Sequence, residues 1–388
     1  MKRICFIRQE VFPYELSFRR EVEAIKSAGF KVHVICLGRE KDDENLKKEE
    51  VLEGIFVHRI PLIRKKSSLF RYLYDYLSFF FLAALKLTYL HMRHRFDVIQ
   101  VNTMPDFLVF ATLLPKMMGA KITLMMQEPM PELWETLHGS SPKILRIIEQ
   151  MALSYANAAF TVTQQLKDAY TARGSDAEKI TVILNVPESR FLEYEEENWV
   201  PTESKPFTLI CHGAIEERYG HDTMLEAVAL VKSQIPDVCL KILGQGSFVD
   251  EFLALIHEKG VENHVQYLGY VPFSQLIYEI HHADVGIVAQ KSSPYSNLVH
   301  TNKMYEFIHL GKPVIASRLR SVEAYFDDDS LYFFEPGDPE SLAQGILELY
   351  KNPTKRLEMV ENSRKLYGEY CWERQKETYQ SIYQRLVG

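Results

Sequence analysis

Short apolar runs rich in β-branched residues alternate with longer segments in which apolar residues recur at helical spacing. In the first half of the chain, helical spacing covers 17–28 and 142–155. The predicted strands of that half are 2–7, 31–37, 98–101, 121–125 and 159–163. The second half repeats the alternation, with predicted strands at 207–211, 238–243, 265–268, 285–288, 313–316 and 331–334. Alternation of this kind predicts parallel sheets with helices on both faces, the α/β class.

One segment, 187–206, interrupts the alternation. It combines the acidic run 193–197 with several prolines, a composition typical of linkers. A length of 388 residues also suggests two domains. We therefore predict two doubly wound, Rossmann-like domains that face a central cleft, where the carboxyl ends of the strands bind ligands. The predicted boundaries are 1–190 for the first domain, 191–206 for the linker, 207–365 for the second domain and 366–388 for C-terminal helices.

Composition narrows the class of protein without identifying a site. The 45 basic and 52 acidic residues give a net charge of −7, so a general nucleic-acid partner is not expected. The five scattered cysteines have no CxxC spacing, which favours free thiols in the cytosol over a disulfide framework or a zinc site. The apolar start of the chain is too short for a signal peptide, and the longest apolar stretch, from Leu77, is interrupted by Lys86. We expect a soluble, cytoplasmic chain that does not cross a membrane.

The segment 64–95 has an unusual mixture of side chains. It carries seven Lys and Arg, one acidic residue (Asp75) and eight Phe and Tyr. This mixture suits peripheral contact with an anionic membrane surface, in which case the acceptor of any reaction would be lipid-linked. It is also compatible with a buried helix that has a basic flank, and the pattern alone leaves both interpretations open.

Candidate chemistry is concentrated in 297–317. A helix predicted over 300–310 would present unpaired backbone N–H groups that suit a diphosphate. Two turns further on, Glu306 offers a carboxylate that can accept hydrogen bonds from a ribose diol. The alternative is a surface helix with an incidental glutamate and lysine.

Three further segments follow predicted strands. Gly213 lets the backbone approach a phosphate closely, and Arg218 can neutralise that phosphate, although it could also be a solvated loop arginine. Gly244 and Gly246 form a GxG pattern that is weak by itself. Tyr270 could stack on a base or could be an ordinary core tyrosine.

Taken in order, these segments resemble the donor site of the retaining GT-B glycosyltransferases of the large group-1 family, family 4. The resemblance covers nearly all of 207–350 and is strongest at TNKMYEF, followed by GKPVIA. It implies that the nucleotide sugar is bound by Gly213, Arg218, Gly244, Gly246, Tyr270, Val271, Thr301, Asn302, Lys303 and Glu306. Glu306 matches the second glutamate of the family's Glu-x7-Glu motif, which is implied to hold the ribose.

The chain departs from the family pattern at several positions. Leu298 replaces the first glutamate of the motif, which leaves the family's carboxylate near the transferred sugar missing. Ala214 and Tyr219 stand where relatives have an arginine and a lysine, so Arg218 is inferred to contact the phosphates alone or with Lys303. No covalent intermediate is implied, because Leu298 removes the obvious carboxylate.

The first half resembles the family less closely. Asn102 and Glu128 follow predicted strands and should lie at the carboxyl edge of the sheet. Relatives often carry histidine at or beside Asn102 and at Gln127. Glu128 remains a candidate contact or base for the acceptor hydroxyl, with a helix cap as the alternative. The candidate catalytic residues are therefore Glu128, Asn102 and Arg218.

The resemblance implies a retaining hexosyltransferase-type enzyme that needs no metal and no cofactor. Its substrates would be a UDP- or GDP-linked sugar and a glycan or lipid-linked acceptor of polysaccharide biosynthesis, used at the inner face of the plasma membrane. The acidic run 327–329 is interpreted as a solvated turn rather than a metal clamp. The family's C-terminal tail packs back on the first domain, which we expect here. The alternatives are a catalytically weak sugar-nucleotide-binding homologue and a nucleotide-sugar 2-epimerase of the same fold.

Overall fold

A computed structural model describes residues 1–39, 47–63, 69–193 and 206–388. Its contacts divide the chain into two compact units. Unit 1 consists of Met1–Asn185 and Glu373–Gly388, and unit 2 consists of Val186–Trp372. Most of the predicted linker (194–205) and residues 64–68 of the basic segment lie outside the described residues.

In the first half, five strands coincide with predicted strands, whereas those at Glu49–Leu52, Ile55–Ile63 and Ile180–Val182 were not predicted. In chain order the helices and strands are β1 (Arg3–Ile7), α1 (Leu16–Ser27), β2 (Lys31–Arg39), β3 (Glu49–Leu52), β4 (Ile55–Ile63), α2 (Leu69–His94), β5 (Val98–Asn102), α3 (Leu113–Met117), β6 (Lys121–Met126), α4 (Met130–His138), α5 (Lys143–Tyr155), β7 (Ala158–Thr161), α6 (Gln164–Ala172) and β8 (Ile180–Val182). A 3-10 helix at Asp106–Thr112 precedes α3.

The second half continues the same alternation. Its elements are β9 (Thr208–His212), α7 (His221–Val231), β10 (Cys239–Leu243), α8 (Val249–Glu258), β11 (Val265–Gly269), α9 (Phe273–His281), β12 (Val285–Val288), α10 (Lys303–His309), β13 (Val314–Ser317), α11 (Arg320–Glu323), β14 (Tyr332–Phe334), α12 (Pro339–Lys351), α13 (Pro353–Tyr370) and α14 (Trp372–Val387).

Unit 1 contains an eight-stranded sheet in the order β3-β4-β2-β1-β5-β6-β7-β8. All neighbouring strands are parallel except β3 and β4, which pair antiparallel. The order reverses direction at β1, which pairs with both β2 and β5. A reversal of this kind leaves a crevice at the carboxyl ends of the central strands, where open α/β sheets bind ligands.

Unit 2 contains a six-stranded, fully parallel sheet in the order β11-β10-β9-β12-β13-β14. Its central strands are buried along their whole length, and large apolar side chains from α7, α8 and α12 cover them. In the register of β9 and β10, His212 lies opposite Leu243, so the loops after these two strands start at the same level. Both units thus have the predicted doubly wound α/β architecture.

Helix α2 is longer and more apolar than the sequence analysis suggested. By length and composition alone, its segment Arg71–His94 would be able to cross a membrane. Its inner side nevertheless belongs to unit 1, because Phe79, Ala83 and Leu87 are fully buried. Withdrawing α2 from the unit would expose these side chains and the part of the sheet that they cover.

The last helix packs within unit 1 rather than unit 2 from Glu373 onward. Tyr379 and Tyr383 are completely buried there, and the Tyr379 hydroxyl donates a 2.8 Å hydrogen bond to Oε1 of Gln100 in β5. Phe160 of β7 packs against the Tyr379 ring at 4.9 Å. The C-terminal helix is therefore part of the core of unit 1.

We expect Tyr379→Ala to lower the free energy of unfolding of unit 1 by about 3–5 kcal/mol, the usual cost of removing a buried aromatic ring. Urea unfolding followed by tryptophan fluorescence and circular dichroism would measure the change. Gln384→Ala, at an exposed position of the same helix, is the matched control and should change little. Equal stability of the two variants would contradict the assigned role of α14.

Candidate active site

The loops after β9 and β10 are joined through glycines. Gly213 donates its backbone N–H to the Leu243 carbonyl at 2.9 Å. A Cβ on Gly244 would lie 1.8 Å from the Gly213 oxygen, and one on Gly246 would lie 2.0 Å from the Ile215 oxygen. Gly244 also has a φ of +137°, which L side chains rarely adopt. The weak GxG pattern thus has a definite packing reason, because only glycine allows the two loops to approach this closely.

The helix predicted over 300–310 is shorter than expected. α10 is a seven-residue helix that begins at Lys303, and no side chain caps its N-terminus. His300 is held outside the helix, because its Nδ1 lies 2.8 Å from the Ser321 carbonyl and its Nε2 lies 2.8 Å from the Tyr305 hydroxyl. So short a helix has a weak dipole. An anion at this end of α10 would therefore be attracted mainly by side-chain charge.

That charge is present in Lys303. Its side chain is only 8% exposed, and Nζ lies 3.8 Å from the Cys211 sulfur and 5.0 Å from the centre of the Tyr219 ring. Arg218 lies over the same ring at 4.8 Å. No carboxylate forms an ion pair with Lys303 within the ranges that the structure covers. A buried ammonium without a counter-charge is costly, so this position is prepared for an anion.

The neighbouring His221 carries no charge of its own. Burial and, to a smaller extent, the positive charge of Lys303 lower the pKa of His221 to about 3. His221 is therefore neutral at physiological pH and does not add to the positive charge around Lys303.

Glu306 lies on the same side of α10, beside the end of β9. Its Oε2 approaches Nε2 of His212 to 3.0 Å, but not in hydrogen-bond geometry. Both atoms are consequently buried without a hydrogen-bond partner among the described residues, and so are Nε of Arg218 and Oγ1 of Thr301. Unsatisfied buried polar atoms are rare in proteins. Their presence on two predicted donor-site segments, the loop after β9 and 297–317, supports a polar ligand at this position.

His212 was not identified from the sequence. The only available signal was its position at the carboxyl end of β9, directly before Gly213. Tyr270 is 76% exposed, so the alternative that it is a core tyrosine is wrong. It follows Gly269, whose φ of +66° turns the chain at the end of β11, and Val271 beside it is partly exposed.

Unit 1 has a pocket of about 180 Å³ at the carboxyl ends of β1, β5 and β6. It is lined by Arg8, Gln9, Glu10, Tyr76, Thr103, Met104, Gln127 and Glu128. Glu128 therefore lines a cavity. Pro129, and not Glu128, occupies the N-cap position of α4. Arg8 and Tyr76 were not predicted, since only the fold brings β1 and α2 to this edge.

Asn102 does not line this pocket. It is fully buried at the end of β5, where its Nδ2 donates a 2.7 Å hydrogen bond to Oε2 of Glu21. Gln100 donates to the same oxygen at 2.8 Å, and Gln127 accepts a 2.8 Å hydrogen bond from Arg8. The predicted catalytic role of Asn102 is therefore corrected to a supporting one. We call the hydrogen-bonded side chains of Glu21, Gln100 and Asn102, which lie beneath the pocket, the polar layer.

Glu21 is the centre of that layer. Burial raises the pKa of its carboxyl group to about 7, although the hydrogen bond from Asn102 acts in the opposite direction. The layer can therefore exchange a proton near neutral pH.

The acidic run 327–329 forms a turn. Oδ1 of Asp327 accepts the backbone N–H of Ser330 at 3.0 Å, and Asp328 pairs with Arg318. These contacts explain why three acidic residues can lie side by side here. Across the described ranges, no group of three His, Cys, Asp or Glu side chains is arranged to hold a metal ion.

Two family models match the chain. The model described as glycosyl transferases group 1 matches residues 194–366, and the model described as glycosyl transferase 4-like domain matches residues 14–185. An uncharacterised glycosyltransferase of Methanocaldococcus jannaschii is 22% identical over 175 residues, which is 45% of this chain and 47% of that protein. A GDP-mannose-dependent α-(1-6)-phosphatidylinositol monomannoside mannosyltransferase of Mycobacterium tuberculosis is 29% identical over 82 residues, or 21% of each chain. The matches thus span less than half of these relatives.

Solved structures are similar over the whole chain. Sucrose-phosphate synthase from Thermosynechococcus elongatus has a TM-score of 0.79 at 17% identity, with 100% of this chain and 99% of that chain covered. HepE from Anabaena, in complex with UDP-glucose, has a TM-score of 0.74 at 16% identity, with 99% and 100% covered. At this identity the likeness establishes the fold, which is GT-B.

The raised pKa of Glu21 predicts a pH-dependent stability. The folded state binds this proton more tightly than the unfolded state, so the carboxyl group reduces stability progressively as pH rises from about 4.5 to about 7. Glu21→Gln removes the titration while keeping an acceptor for Gln100 and Asn102. Between pH 4 and pH 8, the stability of the variant relative to the unmodified protein should rise by roughly 1–3 kcal/mol.

Urea unfolding at a series of pH values would measure this difference. Glu178→Gln, at an exposed position, is the control and should follow the unmodified protein at every pH. A constant difference between Glu21→Gln and the unmodified protein would show that Glu21 does not titrate in this range.

Proposed function

Because this chain belongs to the group 1 glycosyl transferases and has the GT-B fold, we propose that it transfers a hexose from a nucleoside diphosphate sugar to an acceptor hydroxyl with retention of configuration. The observation that carries the proposal is the buried Lys303 ammonium, which has no carboxylate partner among the described residues and lies beside the glycine loop after β9. A pyrophosphate supplies the missing negative charge.

In this proposal unit 2 binds the donor. Lys303 and Arg218, which both contact the Tyr219 ring, hold the pyrophosphate. Gly213 leaves room for the pyrophosphate. A Cβ at this position would lie 3.5 Å from the Lys303 ammonium and would occupy the space beside it. Glu306 accepts the hydroxyl groups of the ribose, which satisfy its orphaned Oε2.

The remaining predicted donor residues complete the site. Thr301 has a buried hydroxyl without a partner among the described residues, and Asn302 immediately precedes α10. Gly244 and Gly246 hold the second loop against the first. Tyr270 and Val271 frame the base, and the exposed Tyr270 ring is available to stack on it.

The chemistry requires no covalent intermediate. The bond between the anomeric carbon and the phosphate oxygen breaks, and the acceptor oxygen forms its bond to that carbon from the same face. The acceptor proton passes to the leaving phosphate oxygen. Lys303 and Arg218 stabilise the negative charge that develops on the diphosphate, which gives a route without a metal ion. Leu298 supports this route, because no carboxylate stands at that position to act as a nucleophile.

The acceptor is assigned to unit 1. Glu128 lines its pocket and is the candidate contact or base for the acceptor hydroxyl. We propose a glycan or lipid-linked acceptor of polysaccharide biosynthesis, with peripheral membrane contact through 64–95 at the cytoplasmic face of the plasma membrane. The all-basic exposed charge of α2 and the five free cysteines support this location.

A second candidate function is sugar-nucleotide binding without efficient transfer. It is motivated by Leu298, Ala214 and Gln127, which replace residues typical of the family. Incubation with radiolabelled nucleotide sugars and a membrane extract separates the candidates. Label in a new glycan or glycolipid supports transfer, whereas binding without turnover supports the second candidate.

Substitutions of the charged donor residues should weaken nucleotide binding. We expect Lys303→Met and Glu306→Ala each to reduce affinity for the bound nucleoside diphosphate by about 10- to 100-fold, because each removes a charge-assisted contact. Isothermal titration calorimetry would measure the affinities. Lys365→Met and Glu335→Ala, at exposed positions of unit 2, are matched controls. Undiminished affinity in the two site variants would remove these residues from the donor site.

A thermal-shift screen of UDP, GDP, ADP and TDP should identify the base. A ligand that binds the folded state raises the unfolding temperature by mass action, so we expect a shift with UDP or GDP and little with the others. UDP is bound by HepE, and GDP-mannose is the donor named for the mycobacterial relative. The absence of any shift at millimolar nucleotide would contradict the proposed donor site.

A further inference from the structure

Three helices of unit 1 leave a large apolar surface uncovered. Among the described residues, eight exposed large apolar side chains lie on α2, four lie at 113–118 on α3 and its C-cap, and three lie on α5. We call the outer sides of these three helices the apolar face. Soluble monomers rarely expose contiguous apolar surface on this scale unless it binds something.

The three helices are neighbours in space. α2 contacts both α3 and the 3-10 helix at Asp106–Thr112, and that 3-10 helix contacts α5. Ring contacts follow the same path, with Phe80 of α2 5.8 Å from Phe107 and Phe110 5.3 Å from Tyr155 of α5. The helices that carry the exposed side chains are therefore adjacent in unit 1.

The fold does not require this apolar exterior. On α2 the inner stripe of Phe79, Ala83 and Leu87 already supplies the contact with the rest of unit 1. On the opposite side, Phe81 is 61% exposed and Leu85 is 70% exposed. A surface helix normally places polar residues at such positions, so the outer stripe indicates a contact beyond the folded chain.

The charges on the apolar face all have the same sign at the surface. α2, α3 and α5 carry six Lys and Arg, each at least partly exposed, and two acidic residues. Both acidic residues, Asp75 and Glu149, are buried. Lys86 and Arg146 pair with Glu49 of β3 and Glu135 of α4, whereas Arg93 and Lys143 are exposed, so the charge that the three helices themselves present to solvent is positive.

We propose that the apolar face binds the surface of an anionic lipid bilayer, with the three helices lying in the plane of the interface. Apolar side chains enter the boundary of the acyl chains while the lysines and arginines contact phosphate groups, a combination typical of interfacial helices. A second copy of the chain fits less well, because a two-fold interface would place the positive charges of one face against those of the other.

This surface also specifies the acceptor more closely, a step that rests on the proposed function. Tyr76 lines the pocket that contains Glu128, and its neighbours Leu73 and Leu77 are exposed on the apolar face. The pocket thus opens beside the surface that meets the bilayer. A lipid-linked acceptor would keep its acyl chains in the bilayer while its hydroxyl-bearing head group enters the pocket.

Vesicle co-sedimentation tests the membrane proposal independently of catalysis. The full chain is mixed with vesicles of phosphatidylcholine alone or of phosphatidylcholine with phosphatidylglycerol. We expect binding to the anionic vesicles that weakens in high salt. The double variant Phe81→Glu with Leu85→Glu should bind at least about tenfold more weakly, because it removes two apolar side chains and adds two negative charges.

A matched control carries the same charge change elsewhere. Leu230→Glu with Leu357→Glu alters two exposed leucines of unit 2 and should bind vesicles like the unmodified protein. Absence of binding to anionic vesicles, or equal loss in both double variants, would overturn the proposal. A dimer in light scattering that only the Phe81 and Leu85 variant dissociates would also overturn it in favour of self-association.

Nucleotide binding keeps the two proposals distinguishable. The Phe81 and Leu85 variant should retain the thermal shift with UDP or GDP, because neither residue belongs to unit 2. Vesicle binding without any nucleotide shift would leave the membrane surface standing while contradicting the donor site. A nucleotide-induced thermal shift without vesicle binding would support the donor site while contradicting the membrane surface.

Discussion

The buried ammonium group of Lys303 is the constraint around which the donor loops of unit 2 are arranged. A positive charge at 8% exposure is tolerated only where something nearby compensates for lost hydration. The partners that the described structure provides, a cysteine sulfur and the face of Tyr219, are weak ones. In the proposed donor site, a bound diphosphate would offset the free energy needed to hold this charge, which would couple the stability of this region to ligand binding.

In the proposed donor site, the same constraint accommodates two departures from the family pattern. That pattern has basic residues where this chain has Ala214 and Tyr219. Here the two cations approach the Tyr219 ring from different elements, Arg218 from the same loop and Lys303 from α10. The site therefore keeps its positive charge, although the charged side chains come from different positions in the sequence. The shortness of α10 fits this arrangement, because full side-chain charges replace the contribution that a longer helix dipole would make.

The sequence predicted elements whose signals are local and missed features that depend on distant contacts. β12 was predicted over its whole length, since a buried strand between helical segments gives a continuous apolar run. The β3–β4 hairpin was missed because β3 alternates between exposed and partly exposed residues and has no apolar face. The start of α10 was misplaced because His300 is fixed by Ser321 and Tyr305, contacts that no spacing rule reveals. Asn102 was correctly placed at a strand end, but its side chain turns inward because Glu21 of α1 needs a buried donor.

Helix α2 shows how one segment can satisfy two environments. Its composition would suit a helix that spans a bilayer, yet polar contacts near both ends tie it to unit 1. Gln9 donates to the Asp75 carbonyl at 3.2 Å, and His91 accepts the backbone N–H of Phe96 at 3.2 Å. Leaving unit 1 would break these contacts and expose the apolar surface beneath Phe79 and Leu87. Helix α2 must remain packed on the sheet, and its outer side is apolar. It can bury that outer side only if the whole of unit 1 docks on an apolar partner. Lateral contact with a bilayer therefore agrees with both the packing and the composition of α2, whereas insertion across the bilayer agrees with the composition alone.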